Sequence, residues 1–269
     1  MGWISFSADH AIERVALTFQ FAEPITNVPW KRIVSAADSV FPRETHGRSV
    51  QQMHSFQIGM PVVLPSPAHR VEDTAGFVYR KLDDGTPIED ITIRRDCISF
   101  GVSKYQRWES FAKRARDTTE HFVSDMISLT DMSLIQLEYW DRFTHDSQEQ
   151  ISYKSLFSSK SGCIPPLLLD SAGHWHSHVG FFMPEPDNSI LINLNIDVVD
   201  VADPEQSQES RRSVGIYSMA RDAKPDISST NAIYASCDHI HNIVKAQFAM
   251  LLDDSVLDSL GLSLPKGRE

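Results

Sequence analysis

The sequence has few cysteines, no long apolar run and no excess of positive charge, and each absence excludes a class of protein. The three cysteines, Cys97, Cys163 and Cys237, are isolated and odd in number, which indicates reduced thiols rather than a disulfide framework. No segment approaches the roughly 20 consecutive apolar residues of a membrane-spanning helix. The first residues also lack the basic and apolar regions of a secretory signal. We therefore expect a cytoplasmic protein with no membrane partner.

The charge balance argues against nucleic acid as a partner. The formal net charge is −11 at pH 7 and the pI is near 5.4. Nucleic-acid binding depends on lysine and arginine that neutralise phosphates, so such a chain repels a polyanion on average. The densest basic stretch, Lys104–Arg116, falls on a predicted helix and is typical of a solvated helix face.

Most established catalytic motifs are also missing. The chain contains no P-loop, no GxGxxG, no GxSxG, no HExxH and no EF-hand loop. Glu138 and Asp141 flank an aromatic pair, Tyr139-Trp140, and we expect both carboxylates at exposed positions of a strand. No cofactor is implied by these patterns.

Periodicity in the hydrophobic residues predicts the secondary structure. Helical spacing predicts a helix between Pro29 and Pro42, a second one that follows a capping box of Ser103 and Gln106, and a third from about Thr230 to Leu252. Residues 203–229 are polar and contain two prolines, which predicts a long loop. Alternation predicts strands over 12–21, 54–64, 74–81, 132–143 and 190–201, and a hairpin over 91–102.

These elements indicate an α+β fold, because strands come in runs and helices are inserted singly. We expect largely antiparallel sheets with two long amphipathic helices and one shorter helix packed on them. The polar, serine-rich segment 144–163 is the best candidate for an internal boundary. It predicts an N-terminal lobe over 1–145 and a C-terminal lobe over 146–269, unless the chain forms one continuous unit.

The segment GHWHSHVGFFM contains three histidines, His174, His176 and His178, at a spacing of two residues. In an extended strand such residues share one face, and Trp175, Val179 and Phe181 take the other. In the following strand, Asn193, Asn195 and Asp197 form the polar side. A hairpin closed at 185–189 would bring these two polar sides together.

Two interpretations of this histidine strand remain open. Imidazoles and the Asp197 carboxylate are suitable ligands for a divalent metal such as Zn²⁺, which could activate water for hydrolysis. However, three strand residues at this spacing extend over about 13 Å, which makes a single coordination sphere difficult to form. The HxHxDH pattern of metallo-β-lactamase-type hydrolases is also not continued at Val179. We favour a polar sheet face that serves as an interaction surface.

A second cluster, Cys237, His239 and His241, lies on the C-terminal helix. Cys237 and His241 are four residues apart on its apolar stripe and could form a metal pair, but a core histidine with a hydrogen-bonded ring is more typical there. His239 points elsewhere on the helix.

Most of the chain resembles a family of uncharacterised bacterial proteins noted for sporadic distribution across genomes. The resemblance rests on AIERVALTFQFAEPI before a helix ending VFP, on ITIRRDCISFGVSKYQRWESF, on QLEYWDRF, on ILINLNIDVVDV and on DHIHNIVKAQFAMLL. Family members carry a GLRYIN-like run in the third segment, where this chain has Gln136 and Glu138 in place of glycine and arginine. The resemblance implies an α+β fold and a bacterial cytosolic setting, but no catalytic residues.

Three functions are therefore consistent with the sequence. We favour a non-enzymatic binding or regulatory module that acts with a protein partner, encoded in the same operon, in phage defence or toxin control. The second is a metal-dependent hydrolase or nuclease built on the histidine strand and Asp197. The third is a small-ligand sensor. A homo-oligomer is compatible with each of them.

Overall fold

A computed structural model describes residues 2–7, 9–52, 74–145, 151–187, 189–202 and 210–262, with the backbone alone at positions 51 and 52. The helices are α1 (Asn27–Val40), α2 (Trp108–Ile127), α3 (Pro166–Leu169), α4 (Thr230–Leu251) and α5 (Asp254–Ser259). The strands are β1 (Trp3–Ser5), β2 (Ile12–Phe21), β3 (His46–Gln52), β4 (Thr74–Asp83), β5 (Thr86–Arg94), β6 (Cys97–Val102), β7 (Met132–His145), β8 (Trp175–Phe182), β9 (Ile190–Ala202) and β10 (Ser210–Asp222).

The ten described strands form one antiparallel sheet, and the chain divides into two compact units. Unit 1 comprises the described residues of Met1–Val15, Gln136–Lys224 and Tyr234–Glu269, and unit 2 comprises those of Ala16–Ile135 and Pro225–Ile233. The strand order is β3-β4-β5-β6-β2 in unit 2 and β7-β10-β9-β8 in unit 1, where β1 also pairs with β7. Strands β2 and β7 and helix α4 contribute residues to both units.

The predicted fold class is confirmed at the level of an α+β protein with a large antiparallel sheet. The helices differ in number from the prediction, because the described residues contain two long helices, one of 14 residues and two short ones. The predicted strand over 54–64 lies outside the described residues. The two units interleave along the chain, whereas the predicted lobes, 1–145 and 146–269, are contiguous, and that division stays a prediction.

The predicted start of α2 is wrong. The helix begins at Trp108, and its N-cap residue, Arg107, is extended and makes no side-chain capping hydrogen bond. The backbone N–H of Ser103 instead donates to the carbonyl of Ile88 at 2.9 Å, which prolongs the β5–β6 hairpin. Pairing with a neighbouring strand therefore replaces the capping box that Ser103 and Gln106 suggested.

The predicted loop over 203–229 is also wrong in its central part, since Ser210–Asp222 forms strand β10. One face of β10 is buried and contains Val214, Ile216, Ser218 and Ala220. Half of these buried residues are small or polar, so their alternation with the other face is weak in the sequence. The neighbouring strands β7 and β9 provide the apolar surroundings that stabilise β10.

The core of unit 2 is formed by α1 and α2 against one face of the sheet. Trp30 of α1 stacks on Phe77, with ring centroids 6.0 Å apart, and the guanidinium of Arg48 lies 3.9 Å from the Phe77 ring centroid. The hydroxyl of Tyr79 donates to Asp38 of α1 at 2.9 Å. The helix is thus held to the sheet by aromatic packing, by this hydrogen bond and by the 3.2 Å ion pair of Asp38 with Arg48 of β3.

Asp141 of β7 and His241 of α4 are ionisable side chains on the helix-covered side of the sheet in unit 1. Asp141, expected to be exposed, is only 4% exposed, because it shares the inward face with Leu137, Tyr139 and Phe143. Burial and the nearby Glu13 raise the pKa of Asp141 to about 8. On α4, Nδ1 of His241 lies 2.9 Å from the Tyr139 hydroxyl, and burial, followed by the charge of Lys245, lowers the pKa of His241 to about 4.

No helix in the described ranges is both long enough and apolar enough to cross a membrane.

We predict that Asp141→Asn stabilises the protein increasingly as the pH rises from about 4 to 8. The native carboxyl keeps its proton in this interval, whereas the unfolded chain releases it. The free energy of unfolding of the wild type therefore falls by up to about 1.4 kcal/mol per pH unit. Urea unfolding of both proteins at several pH values measures the difference. Asp258→Asn, at an exposed position of α5, is the matched control, and an equal pH trend in that variant would contradict the prediction.

We predict the opposite pH trend for His241→Gln. The buried imidazole stays neutral down to about pH 4, whereas the unfolded chain binds a proton below about 6.5, so wild type loses stability as the pH falls between these values. As the pH falls over that interval, the free energy of unfolding of the variant should therefore rise relative to that of the wild type by up to about 1.4 kcal/mol per pH unit. His239→Gln, on the exposed side of the same helix, should show a much smaller change.

Candidate functional site

The histidine strand and its partner form a regular hairpin in unit 1. Strand β8 pairs with β9 so that His176 lies opposite Asp197, His178 opposite Asn195, and Gly180 opposite Asn193. On the other side of the same strands, Trp175, Ile192, Leu194, Ile196 and Val198 are buried. The predicted coincidence of the two polar sides is thus present in the hairpin. We call the polar side of β8, β9, β10 and β7 in unit 1 the open face.

His176 and Asp197 form a close pair on the open face. Nδ1 of His176 lies 2.6 Å from Oδ1 of Asp197, and the two side chains are 58% and 59% exposed. His178, one step along the same face, is also exposed and lies beside Asn195. Pairing through Nδ1 fixes the orientation of the His176 ring and leaves its Nε2 for a binding partner.

His174 does not join the other two histidines. It precedes β8, and its Nε2 lies 2.9 Å from Oδ2 of Asp200. Asp200 also accepts a 2.6 Å hydrogen bond from Nε of Arg212, and this bond, followed by that of His174, lowers the pKa of Asp200. Within the described ranges, no three His, Cys, Asp or Glu side chains are grouped so that they could hold a metal ion. The metal assignment to His174, His176, His178 and Asp197 stays a prediction.

Strands β10 and β7 extend the open face with aromatic and charged side chains. The Tyr217 hydroxyl donates to Oε1 of Glu138 at 2.7 Å, and the rings of Tyr217 and Trp140 lie 5.3 Å apart. The guanidinium of Arg14 lies 6.0 Å from the Trp140 ring centroid. Tyr217 is paired with Asn195 of β9, so one row crosses the open face from His178 through Asn195 to Tyr217. The result is a broad surface of mixed polarity rather than a cleft.

Two amide oxygens in the middle of the open face are buried without a hydrogen-bond donor. They are the Oδ1 atoms of Asn193 and Asn195, which find no partner within the part of the chain that the structure describes. A buried acceptor left unsatisfied costs about 1–3 kcal/mol. The native fold therefore carries polar groups here that its own packing does not satisfy.

The cysteine and histidines of α4 do not form a site with each other. Cys237 is buried, and burial raises the pKa of its thiol. His241 faces Tyr139, while Nε2 of His239 lies 2.9 Å from Oδ1 of Asp187 at the exposed margin. As the helical spacing predicts, His239 points away from His241. The two histidines serve different contacts.

A polar cluster around Arg212 lies at the end of the sheet next to His174. Arg212 is 12% exposed, and its Nη1 donates to the Tyr153 hydroxyl at 2.5 Å and to the Ala172 carbonyl at 3.2 Å. The Tyr153 hydroxyl in turn donates to the Gly173 carbonyl at 3.0 Å. These hydrogen bonds hold the segment that contains Tyr153 and Gly173 against the sheet. They therefore position the start of the histidine strand.

Sequence reasoning missed the residues that β10 contributes, because that segment was expected to be a loop. Tyr217 and Arg221 are less buried than their neighbours on the other face of β10, and this partial alternation was the available signal. The contribution of Arg212 had no sequence signal, since it depends on which carbonyls the segment before β8 presents.

Comparison with protein-family models, with curated protein sequences and with solved structures gave no match for this chain.

We predict that Arg212→Ala increases the backbone mobility of residues 151–174. The substitution removes the donor that links the Asp200 carboxylate, the Tyr153 hydroxyl and the Ala172 carbonyl. Hydrogen exchange should become faster in 151–174 while β9 remains protected. His174→Ala removes the other partner of Asp200 at an exposed position and should change exchange little. Equal effects of the two substitutions would contradict the central role of Arg212.

Proposed function

We propose that this chain is a non-enzymatic binding module that recognises a protein partner through the open face of unit 1. Its described surface there combines aromatic rings, carboxylates, imidazoles and amides on four adjacent strands. Such mixed polar and aromatic composition is typical of protein-binding surfaces. The interaction surface consists of His176, His178, Asn193, Asn195 and Asp197, with Trp140 and Tyr217 beside them. His174, assigned to this surface from the sequence, belongs to its margin.

The observation that carries the proposal is the pair of unsatisfied amide oxygens of Asn193 and Asn195. We infer that a donor of the partner protein satisfies these acceptors, since both asparagines lie on the polar side of β9. Because both oxygens are buried, this inference requires each amide side chain to turn toward the partner on binding. Natural proteins accept this kind of local cost at binding sites.

The charge of the chain indicates the chemistry of the partner. With a net charge of −11, the protein attracts basic surfaces and accelerates their association at low ionic strength. Lysine and arginine carry the donors that the asparagine oxygens and the Asp197 carboxylate accept. We infer a partner with a basic patch.

The biological setting is inferred from the resemblance to a sporadically distributed bacterial family. Patchy occurrence is shared with accessory genes that reside on mobile or defence islands. We therefore place the protein in a bacterial cytosolic complex, with a partner encoded in the same operon and a role in phage defence or toxin control.

The test is binding of Asn195→Ala to the co-expressed product of a neighbouring gene. We expect the variant to bind about tenfold more weakly while its free energy of unfolding is unchanged or higher, because an unsatisfied acceptor has been removed. Asn242→Ala, at an exposed position of α4, is the matched control and should retain wild-type affinity. The association rate should fall as salt is added.

Two results would overturn the proposal. One is that the protein elutes alone from co-expression with every neighbouring gene product. The other is that Asn195→Ala destabilises the fold, which would assign the amide a structural role.

A metal-dependent hydrolase is the second candidate, and the His176–Asp197 pair is the observation that favours it. A carboxylate on Nδ1 orients an imidazole whose Nε2 binds a metal. Elemental analysis of protein purified without an affinity tag provides the test. Stoichiometric zinc that is lost in His176→Ala supports a metal site, whereas substoichiometric metal that does not respond to this substitution excludes it.

A further inference from the structure

Among the described residues, strand β8 is the last strand of the sheet in unit 1, and no other described strand pairs with its outer edge. Its backbone pairs with β9 alone among the described residues. Its eight residues, WHSHVGFF, include no proline, no lysine and no carboxylate. Native proteins usually block an edge strand with such residues, because an open edge accepts a further strand. The absence of these devices over a whole strand indicates that this edge is used.

The register of the hairpin identifies the peptide groups that face outward. The N–H of Met183 donates to the carbonyl of Ile190, so odd-numbered residues of β8 point their peptide groups toward β9. The peptide groups of His176, His178, Gly180 and Phe182 therefore point away from the sheet. This leaves four donors and four acceptors in the spacing that an antiparallel strand requires.

We propose that a second copy of this chain pairs with β8 in antiparallel orientation, joining two sheets about a two-fold axis. The favoured register places Val179 on the axis, so that His178 lies opposite Gly180 of the partner subunit and His176 lies opposite Phe182 of the partner subunit. This register pairs every outward peptide group of the strand. Shifting it by two residues would set His178 opposite its own copy and leave Phe182 unpaired.

The side chains at this edge suit the proposed register. Phe182 is 64% exposed, and an imidazole directly opposite would cover its ring. Gly180 has no side chain, and an aromatic residue across from an edge glycine is a known stabilising pair in antiparallel sheets. On the helix-covered side, Val179 and Phe181 are only half-buried and gain cover from the added strand.

Charge directs self-association to this strand. Two copies with a net charge of −11 each repel one another over most of their surface. Strand β8 contains no formally charged side chain, so the strand itself adds no like-charge repulsion between the copies. Of the proposed partner surface, only His176 and His178 lie beside the second copy, so Asn193, Asn195, Asp197, Trp140 and Tyr217 stay accessible in the dimer.

Disulfide cross-linking of the full chain in a Cys163→Ser background tests both the dimer and its register. In the proposed register, the two copies of Val179 face each other in a pair without mutual hydrogen bonds, at a Cα–Cα distance of about 4.5 Å. That separation suits a disulfide. Val179→Cys should therefore form a covalent dimer under mild oxidation. Ser177→Cys alone should not, because its two copies lie about 13 Å apart along the strand.

A mixed sample gives a second check on the register. Ser177 faces Phe181 of the partner subunit, so an equimolar mixture of Ser177→Cys and Phe181→Cys should form the mixed disulfide and little of either homodimer. Cross-linking of Ser177→Cys as efficient as that of Val179→Cys would overturn the register.

Mass photometry and light scattering of the uncross-linked proteins test the dimer itself. We expect wild type to be dimeric, Val179→Lys to be monomeric with an unchanged far-UV spectrum, and Val50→Lys, on the edge strand of unit 2, to remain dimeric. A monomeric wild type without Val179→Cys cross-linking would overturn the proposal. Loss of the dimer with retained binding of the operon-encoded partner would separate this edge from the proposed function of the open face.

Discussion

The antiparallel register of β9 with its two neighbours is the constraint on which the rest of unit 1 depends. Because β9 pairs with both β8 and β10, its residues from Leu191 to Val198 are each placed in a row across three strands. The buried residues Ile192, Leu194 and Ile196 hold that register, since a shift by one residue would turn all of them toward solvent. Every feature of the open face, from the His176–Asp197 pair to the asparagine oxygens, follows from this single alignment.

The same alternation explains why unit 1 carries ionisable groups in its core. Asp141 occupies a buried position of β7, and His241 occupies a half-buried position of α4 against Tyr139. Their pKa values are displaced in opposite directions, and both remain neutral near pH 6. Neutrality limits the cost of burial for each group, since an isolated charge would be far less favourable in the core. As the pH falls from about 6 to 4, the contribution of Asp141 to the free energy of unfolding therefore rises, whereas that of His241 falls.

The open face and the outer edge of β8 are two different binding surfaces of the β8–β9 hairpin. The face presents side chains, whereas the edge presents backbone donors and acceptors, so one can bind a partner protein while the other joins two copies of the chain. The small size of Gly180 matters to both, because it leaves room beside Asn193 and beside an incoming strand. The Arg212 cluster supports this arrangement from outside the hairpin by holding the segment that leads into β8.

Pattern in the sequence was sufficient to determine β2, the β5–β6 and β8–β9 hairpins, the body of the three longest helices and the common side of His176 and His178. Each of these depends on local periodicity, which the order of residues contains in full. Tertiary structure alone decided that Ser210–Asp222 is a strand and that His174 pairs with Asp200. These outcomes depend on which neighbour each segment meets. A weakly patterned strand is stabilised by the sheet on both sides of it, and a histidine outside the strand bonds with the carboxylate that the fold brings nearest.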